Sequence, residues 1–222
     1  MAFFSNPNFV PAITLYFQRL PAAFLVTLTV TAGAVGIGMV LGLLLALAYL
    51  SSYRWLSGLA HPVIYFVRAT PVPPFLYLIY FGTLTLFFPI EPKFAGMIGL
   101  GVLLAAPMAE LFRSGIQSVG QGVVEAGRAL GMSHMLNLRR NILPIATRIM
   151  LPAIGQMTVG TLLSSAFVAL IGAKDMTGMA RNIIFAYFSS ELYLVLAVTY
   201  FIIAFPMSRA LTAAERRMQA YT

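Results

Sequence analysis

The sequence predicts an all-α integral membrane protein: five transmembrane helices, the N-terminus outside, the C-terminus cytoplasmic, and a short two-helix loop on the cytoplasmic side. Three observations predict it. The chain has 222 residues, of which 60% are hydrophobic and only 9% charged, with mean hydropathy +0.89; a soluble domain carries roughly 25% charged residues. The apolar residues gather into stretches long enough to cross a hydrocarbon core, which takes about 20 residues per helix. Most basic residues fall between those stretches or near their ends, and they favour one side of the membrane.

The first predicted span, residues 22–50, reads "AAFLVTLTVTAGAVGIGMVLGLLLALAYL" without a charge. Gly33, Gly36, Gly38 and Gly42 form a small-residue face for helix packing, because lipid supplies no hydrophobic drive between helices. The second, 62–88, contains Pro71, Pro73 and Pro74. These remove backbone donors, so the helix must bend or break near its cytoplasmic start, beside Arg68 and Thr70. The third, 94–113, is "FAGMIGLGVLLAAPMAELFR". The fourth is 147–172 and the fifth 190–211. No internal repeat or low-complexity linker divides the chain, so residues 1–222 read as one transmembrane domain. The start, "MAFFSNPNFVPAITLYFQ", has no charged region ahead of a short apolar core, so no cleaved signal peptide is expected.

Orientation follows from the positive-inside rule. With the N-terminus outside, Arg54, Arg68, Arg113, Arg128, Arg139, Arg140, Arg148, Arg209, Arg216 and Arg217 are cytoplasmic. Only Arg19, Lys93, Lys174 and Arg181 fall on the other side. The formal charge of +8 and pI near 10.1 therefore report topology rather than nucleic-acid binding. Tyr and Phe cluster near span ends, as in "LYLIYFG" and "IIFAYF", the usual interfacial belts. Membrane lipid is the surrounding partner.

Between the third and fourth spans, residues 114–144, lies "VVEAGRALGMSHMLNLRRNILP". Residues 121–130 suit a helix, with Glu125 one turn from Arg128. Gly131 suits a left-handed stop, Ser133 can cap a second helix over 134–142, and Pro144 fits the start of the fourth span. Ala126, Gly127 and Ala129 leave little bulk on the first helix, so a groove on a partner could grip it closely.

This stretch resembles the EAA loop of permease subunits from ABC importers. That pattern is Glu-Ala-Ala, three residues, Gly, then about ten residues to a Leu-Pro. Here it is carried by Glu125, Ala126 and Gly127, then Gly131, then Leu143 and Pro144. Gly127 replaces the second alanine, and Asn141 stands where an isoleucine or valine is usual. "FVRATPVPPFLYLIYFG" and "AELFRSGIQSVGQGVVEAGRALGMS" are similar to the polar amino-acid branch, and with "LPAIGQ" and "ALIGAKDMTGMARNI" the likeness covers about 24–215. Pro107 stands where that branch commonly has a tyrosine. Leu163-Ser164-Ser165-Ala166 stands where it often has Lys-Asp-Thr-Ser, which leaves the charge class of the cargo open.

The resemblance implies a permease half that pairs with a second copy or a homologue. It also implies a dimer of a cytoplasmic ABC ATPase, an extracytoplasmic solute-binding protein, an amino acid or related small polar solute, and residence in a bacterial inner membrane. Coupling would fall to Glu125, Ala126, Gly127, Arg128, Gly131, Leu143 and Pro144. Arg68, Thr70, Glu110, Ser164 and Ser165 are candidates for the substrate path. Against those roles stand blander ones: a folded loop, an ion pair between Glu110 and Arg113, and serines bonded to carbonyls of their own helix.

Several chemistries are excluded by residue type. There is no cysteine, hence no disulfide, thiolate metal site or cysteine nucleophile. No glycine loop ends in Gly-Lys-Ser/Thr, so the ATP and Mg that the resemblance implies would belong to another polypeptide. His61 and His134 lie outside the spans without carboxylate clusters, so no metal, cofactor or catalytic residue is expected, and an intramembrane serine protease is disfavoured. The loop also resembles a helix-turn-helix DNA reader, but it lacks the helical domain that would present such a motif. The runner-up function is a secondary transporter working without an ATPase, against which the absence of mid-depth charges argues.

Overall fold

The computed structural model describes residues 6–51, 53–84 and 90–219, and the described chain is helical throughout. Helix α1 runs Phe9–Tyr49, α2 Arg54–Ala69 and α3 from Val72 through a widened π stretch, Leu78–Leu84. Helix α4 spans Pro92–Gln117 and α5 Gln121–Ala129. Helix α6 starts at His134 and passes through a π turn, Leu138–Ile142, straight into α7, Leu143–Ser164, which tightens to a 3₁₀ stretch, Ser165–Ile171. Helices α8, Met176–Tyr187, and α9, Leu192–Gln219, complete the chain. Four stretches are long and apolar enough to cross a membrane, and the bent pair α2–α3 makes a fifth if taken as one span.

The first span is longer than the sequence predicts: α1 starts at Phe9, thirteen residues before position 22. Gln18, Arg19 and Pro21 mask it in the sequence. Pro21 is accommodated inside the helix, as neighbouring helices allow in membrane bundles.

The second predicted span is not one rod. Its two helices meet at 108°. Thr70 is extended (φ −87°, ψ 122°) and Pro71 likewise (φ −66°, ψ 144°). A residue before proline is pushed out of the helical region, so the break falls where the chemistry puts it. Pro73 and Pro74 then sit in the first turn of α3, where a missing N–H costs nothing. Residues 85–88 of the predicted span lie outside the described residues.

The fourth span also departs from expectation. It does not begin afresh at residue 147 but continues from the hairpin as one helical run, Met135–Ile171. Pro144 sits in the first turn of α7, so it interrupts nothing. The run stops at Gly172, which is left-handed at φ +95°. Helix α8 is unpredicted. Its twelve residues are too short to cross, and Lys174 and Arg181 make the segment read as a loop. The start signal is nonetheless present: Asp175 caps it, accepting from Gly178 N at 3.0 Å and Thr177 N at 3.3 Å.

Three buried clusters are strung along α1. Ala12, Tyr16 and Ala23 pack with Met176, Ile183 and Leu192 near its start. Val30 and Ala34 meet Leu76, Leu100 and Val168 at mid-length. Ala46 joins Ile64, Val67, Met108, Phe112, Ile142 and Met150 at the far end, with Val123, Val124 and Leu138 of the hairpin against them. The predicted glycine face is largely what seats α4. Added β-carbons at Gly38 and Gly42 would lie 2.9 Å from Leu104 and 2.6 Å from Met108, and one at Gly101 would lie 2.7 Å from Ile37. Gly33 likewise faces Met97. Gly36 does not belong to that face, since among the described residues nothing lies within 4 Å of its added β-carbon.

Candidate functional site

The hairpin α5–α6 projects from the end of the bundle where α1, α4 and α2 converge. Only Ser118, Val119 and Gly120 separate α4 from α5. Val119 is buried, and Val123 and Val124 anchor the inner face of α5 on the cluster that includes Phe112, Ile142 and Met150. The outer face carries Glu125, Ala126, Arg128, Ala129 and Leu130, all exposed. Leu130, 80% exposed, has no partner surface among the described residues.

The turn is a complete Schellman stop. Gly131 N donates to the Arg128 carbonyl at 2.9 Å and Met132 N to that of Gly127 at 3.0 Å, with Gly131 at φ +72°. The Ser133 side chain accepts from Leu136 N at 3.3 Å, the predicted cap. Leu143 and Pro144 are exposed at the start of α7. One expected contact is absent: among the described residues Glu125 makes no ion pair with Arg128. Both are exposed, and such a pair on a solvated helix gains only about 0.2–0.5 kcal/mol.

Gly127 differs from its neighbours on α5. It is buried, and its α-carbon faces the side chain of Asn137. Asn137 is itself only 3% exposed. It donates through Nδ2 to the Val124 carbonyl at 3.1 Å and accepts through Oδ1 from Asn141 Nδ2 at 2.7 Å. Sequence reasoning missed Asn137 altogether, because nothing in the spacing shows that it faces Gly127.

Beside the hairpin, the bend between α2 and α3 is tied to α4 by a charge pair. Arg68 Nη1 donates to Glu110 Oε1. The structure thereby corrects the expected Glu110–Arg113 pair. Arg113 instead bonds Gln117 Oε1 at 2.8 Å and lies over the Tyr49 ring, 4.9 Å from its centroid. Tyr49 in turn stacks on His61 at 4.2 Å. Together Tyr49, His61, Tyr65, Glu110 and Arg113 line a cleft of about 80 Å³. A space of that size holds only a few waters.

Of the five residues expected along a substrate path, three therefore gather at the bend. Thr70 bonds the Phe66 carbonyl of its own helix at 2.8 Å. Ser164 and Ser165 lie elsewhere, where α7 tightens. Ser165 is fully buried and donates to the Leu162 carbonyl at 2.7 Å, whereas Ser164 is half-buried.

A second polar cluster, unpredicted, lies at the opposite end of the bundle. Asp175 is fully buried under α8. Desolvation pushes its carboxyl up to about 6, against the pull of the Gly178 and Thr177 N–H groups. Around it, Met176 N donates to Thr27 Oγ1 at 3.2 Å, and Thr177 and Tyr200 share a hydroxyl bond at 3.0 Å.

Known proteins place this arrangement. The chain is 36% identical over 210 residues to the nopaline transport system permease protein NocM of Agrobacterium fabrum, covering 90% of this chain and 87% of that protein. It is 31% identical over 212 residues to the glutamine transport system permease protein GlnP of Escherichia coli, covering 94% and 95%. A crystal structure of an amino acid ABC transporter with histidines superposes with TM-score 0.85 at 34% identity, covering 96% of this chain and 98% of that one. The MetNI methionine ABC transporter, in inward-facing conformations, matches with TM-score 0.72 at 19% identity and speaks to the fold alone. Residues 38–220, which contain the bend, the hairpin and Asp175, match the binding-protein-dependent transport system inner membrane components, and the chain belongs to that family.

Proposed function

We propose that this chain is the transmembrane permease subunit of an ATP-driven importer for amino acids or related small polar solutes. It forms half of an alternating-access pathway and couples to a separate ATPase. The observation that carries the reading is the hairpin: a small-residue helix face, exposed and without a partner among the described residues, held by a Schellman stop at the end of the bundle. The two relatives described above are transport system permease proteins for nopaline and glutamine, which supports an amino-acid-like cargo.

The hairpin end is read as cytoplasmic. Arg54, Arg113, Arg128, Arg139, Arg140, Arg148 and Arg209 belong to helix ends and turns on that side, while Lys174, Arg181 and Lys93 lie toward the other. This segregation supports an N-out, C-in chain in the bacterial inner membrane. An ATPase dimer then grips Glu125, Ala126, Arg128 and Gly131, with Leu143 and Pro144 at the root of the grip, and supplies the ATP and Mg chemistry. A solute-binding protein delivers cargo at the α8 end, and a second permease chain closes the pathway. Closure of the ATPase pulls α5, and α4 and α7 follow because they run into the hairpin at its two ends. Arg68 and Glu110 tie that movement to the bend in the second span, and Ser164 remains the serine accessible to cargo.

The runner-up, a secondary transporter working without an ATPase, leaves the exposed hairpin without a role. The two readings separate in reconstituted vesicles. Uptake of radiolabelled amino acids that requires ATP and the co-purified ATPase supports the proposal. Uptake driven by a proton gradient alone refutes it. Labelling that places residues 125–140 on the outer face would refute the orientation.

A further inference from the structure

Gly127 and Asn141 are the two positions at which the hairpin departs from the EAA pattern, and in the structure both meet the same side chain. We propose that Gly127, Asn137 and Asn141 form one positioning unit, a carboxamide clasp that sets the angle of α5 against α6 and α7. The proposal rests on the coupling role argued above and deepens it. Gly127 would be a seat for Asn137 rather than a contact for the ATPase.

The geometry is specific. A β-carbon at Gly127 would overlap the Asn137 carboxamide at its nitrogen, oxygen and carbon alike. Because Asn137 is nearly fully buried, it has nowhere to retreat. Its Nδ2 reaches across to the Val124 carbonyl of α5, and its Oδ1 takes a hydrogen from Asn141, one turn on in the π stretch. Asn141 Nδ2 also lies 3.4 Å from Met132 Sδ, the residue that closes the Schellman stop.

The chain of contacts thus runs from mid-α5, through Asn137, into the widened turn that opens α7. A buried amide that keeps its partners is stabilising, whereas one that loses them is costly to leave in place. The clasp therefore favours one orientation of α5 over its neighbours. Gly127 supplies the room and Asn141 the acceptor's partner, so neither departure is useful without Asn137.

The test is a double-mutant cycle with two readouts. The first uses the purified chain in nanodiscs, with no partner, and follows hydrogen exchange in residues 121–131. Gly127→Ala and Asn137→Ala are each expected to raise exchange there by about tenfold, with residues 95–112 unchanged. The double variant, which packs methyl against methyl, should exchange more slowly than either single variant. Asn141→Val, which leaves Oδ1 unpaired without touching Gly127, should raise exchange as well. Additive single effects, or a Gly127→Ala chain indistinguishable from wild type, overturn the clasp.

The second readout uses vesicles containing the chain and its ATPase. The Asn137→Ala variant should retain the ATPase with unchanged affinity but move several-fold fewer labelled amino acids per ATP hydrolysed, and the double variant should recover most of that ratio. An unchanged ratio overturns the positioning role. A wild-type chain that retains no ATPase would instead defeat the coupling reading, while the exchange cycle still decides the clasp.

Discussion

Replacing Gly131 separates backbone strain from contact with a partner, because a left-handed backbone is the demand the chain itself makes at that site. Its φ is +72°, and a β-carbon added there would meet no atom of the described residues within 4 Å. Steric overlap is therefore absent and only backbone strain remains. For an L-residue the left-handed region costs about 1–2 kcal/mol, and asparagine is the usual exception because its side chain can bond locally. Gly131→Ala should cost about 1 kcal/mol and Gly131→Val about 2 kcal/mol or more, while Gly131→Asn should cost a few tenths.

A cost of about 2 kcal/mol is roughly a thirtyfold change in population, so Val should shift the Schellman bonds to Arg128 and Gly127 toward the open form by about that factor. Uptake of labelled amino acids and ATPase retention, measured in vesicles for the three variants, should fall in the order Asn, Ala, Val. If Val transports as well as wild type, the rigid stop is not required for coupling. If Asn is as damaging as Val, the site acts by contact with the partner and the strain argument fails.

Other outcomes follow from the packing. Gly101→Val drives a branched side chain into Ile37 and the Ala34 carbonyl; overpacking of this kind costs about 1–3 kcal/mol. Gly36→Ala, in open space, should stay within about 0.5 kcal/mol, and thermal unfolding in detergent compares the two. Glu110→Gln breaks the pair with Arg68, whose side chains are 39% and 51% exposed. It should change stability by less than about 1 kcal/mol while lowering uptake several-fold; a stability loss as large as the transport loss would reduce the pair to a brace.

Asp175 has its folded-state value raised to about 6 from 3.8, so folding favours the protonated form. Its stabilising contribution is full below about pH 3.8 and is lost as pH rises through about 6. The difference is worth up to about 3 kcal/mol. The Asp175→Asn variant, which keeps a capping oxygen, should lose that part of the pH dependence between about pH 4 and 7.

Much of the fold was legible because membrane insertion leaves a compositional mark. Four spans announce themselves by uninterrupted apolar length, and the break in the second by Thr70-Pro71. The start of α1 and all of α8 were not legible, since both carry polar or basic residues that tertiary packing overrides: Tyr16 is buried against α8, where Met176 and Ile183 fill the space. The hairpin was legible down to its stop and cap, because Gly131 and Ser133 act through local backbone chemistry. Partners distant in sequence were not. Helical spacing favoured Arg113 for Glu110, yet Arg68 arrives from another helix 42 residues away. Likewise Gly127 and Asn141 read as two separate oddities until Asn137 joined them.

Helix α1 is 41 residues long, about 60 Å of rod, twice the thickness of a bilayer's hydrocarbon. No break interrupts it between Ala12, under α8, and Ala46, in the cluster that roots the hairpin. A push delivered at one extremity therefore arrives at the other without passing through any joint. Whatever docks against α8 is thus joined by one continuous helix to the cluster that roots the hairpin.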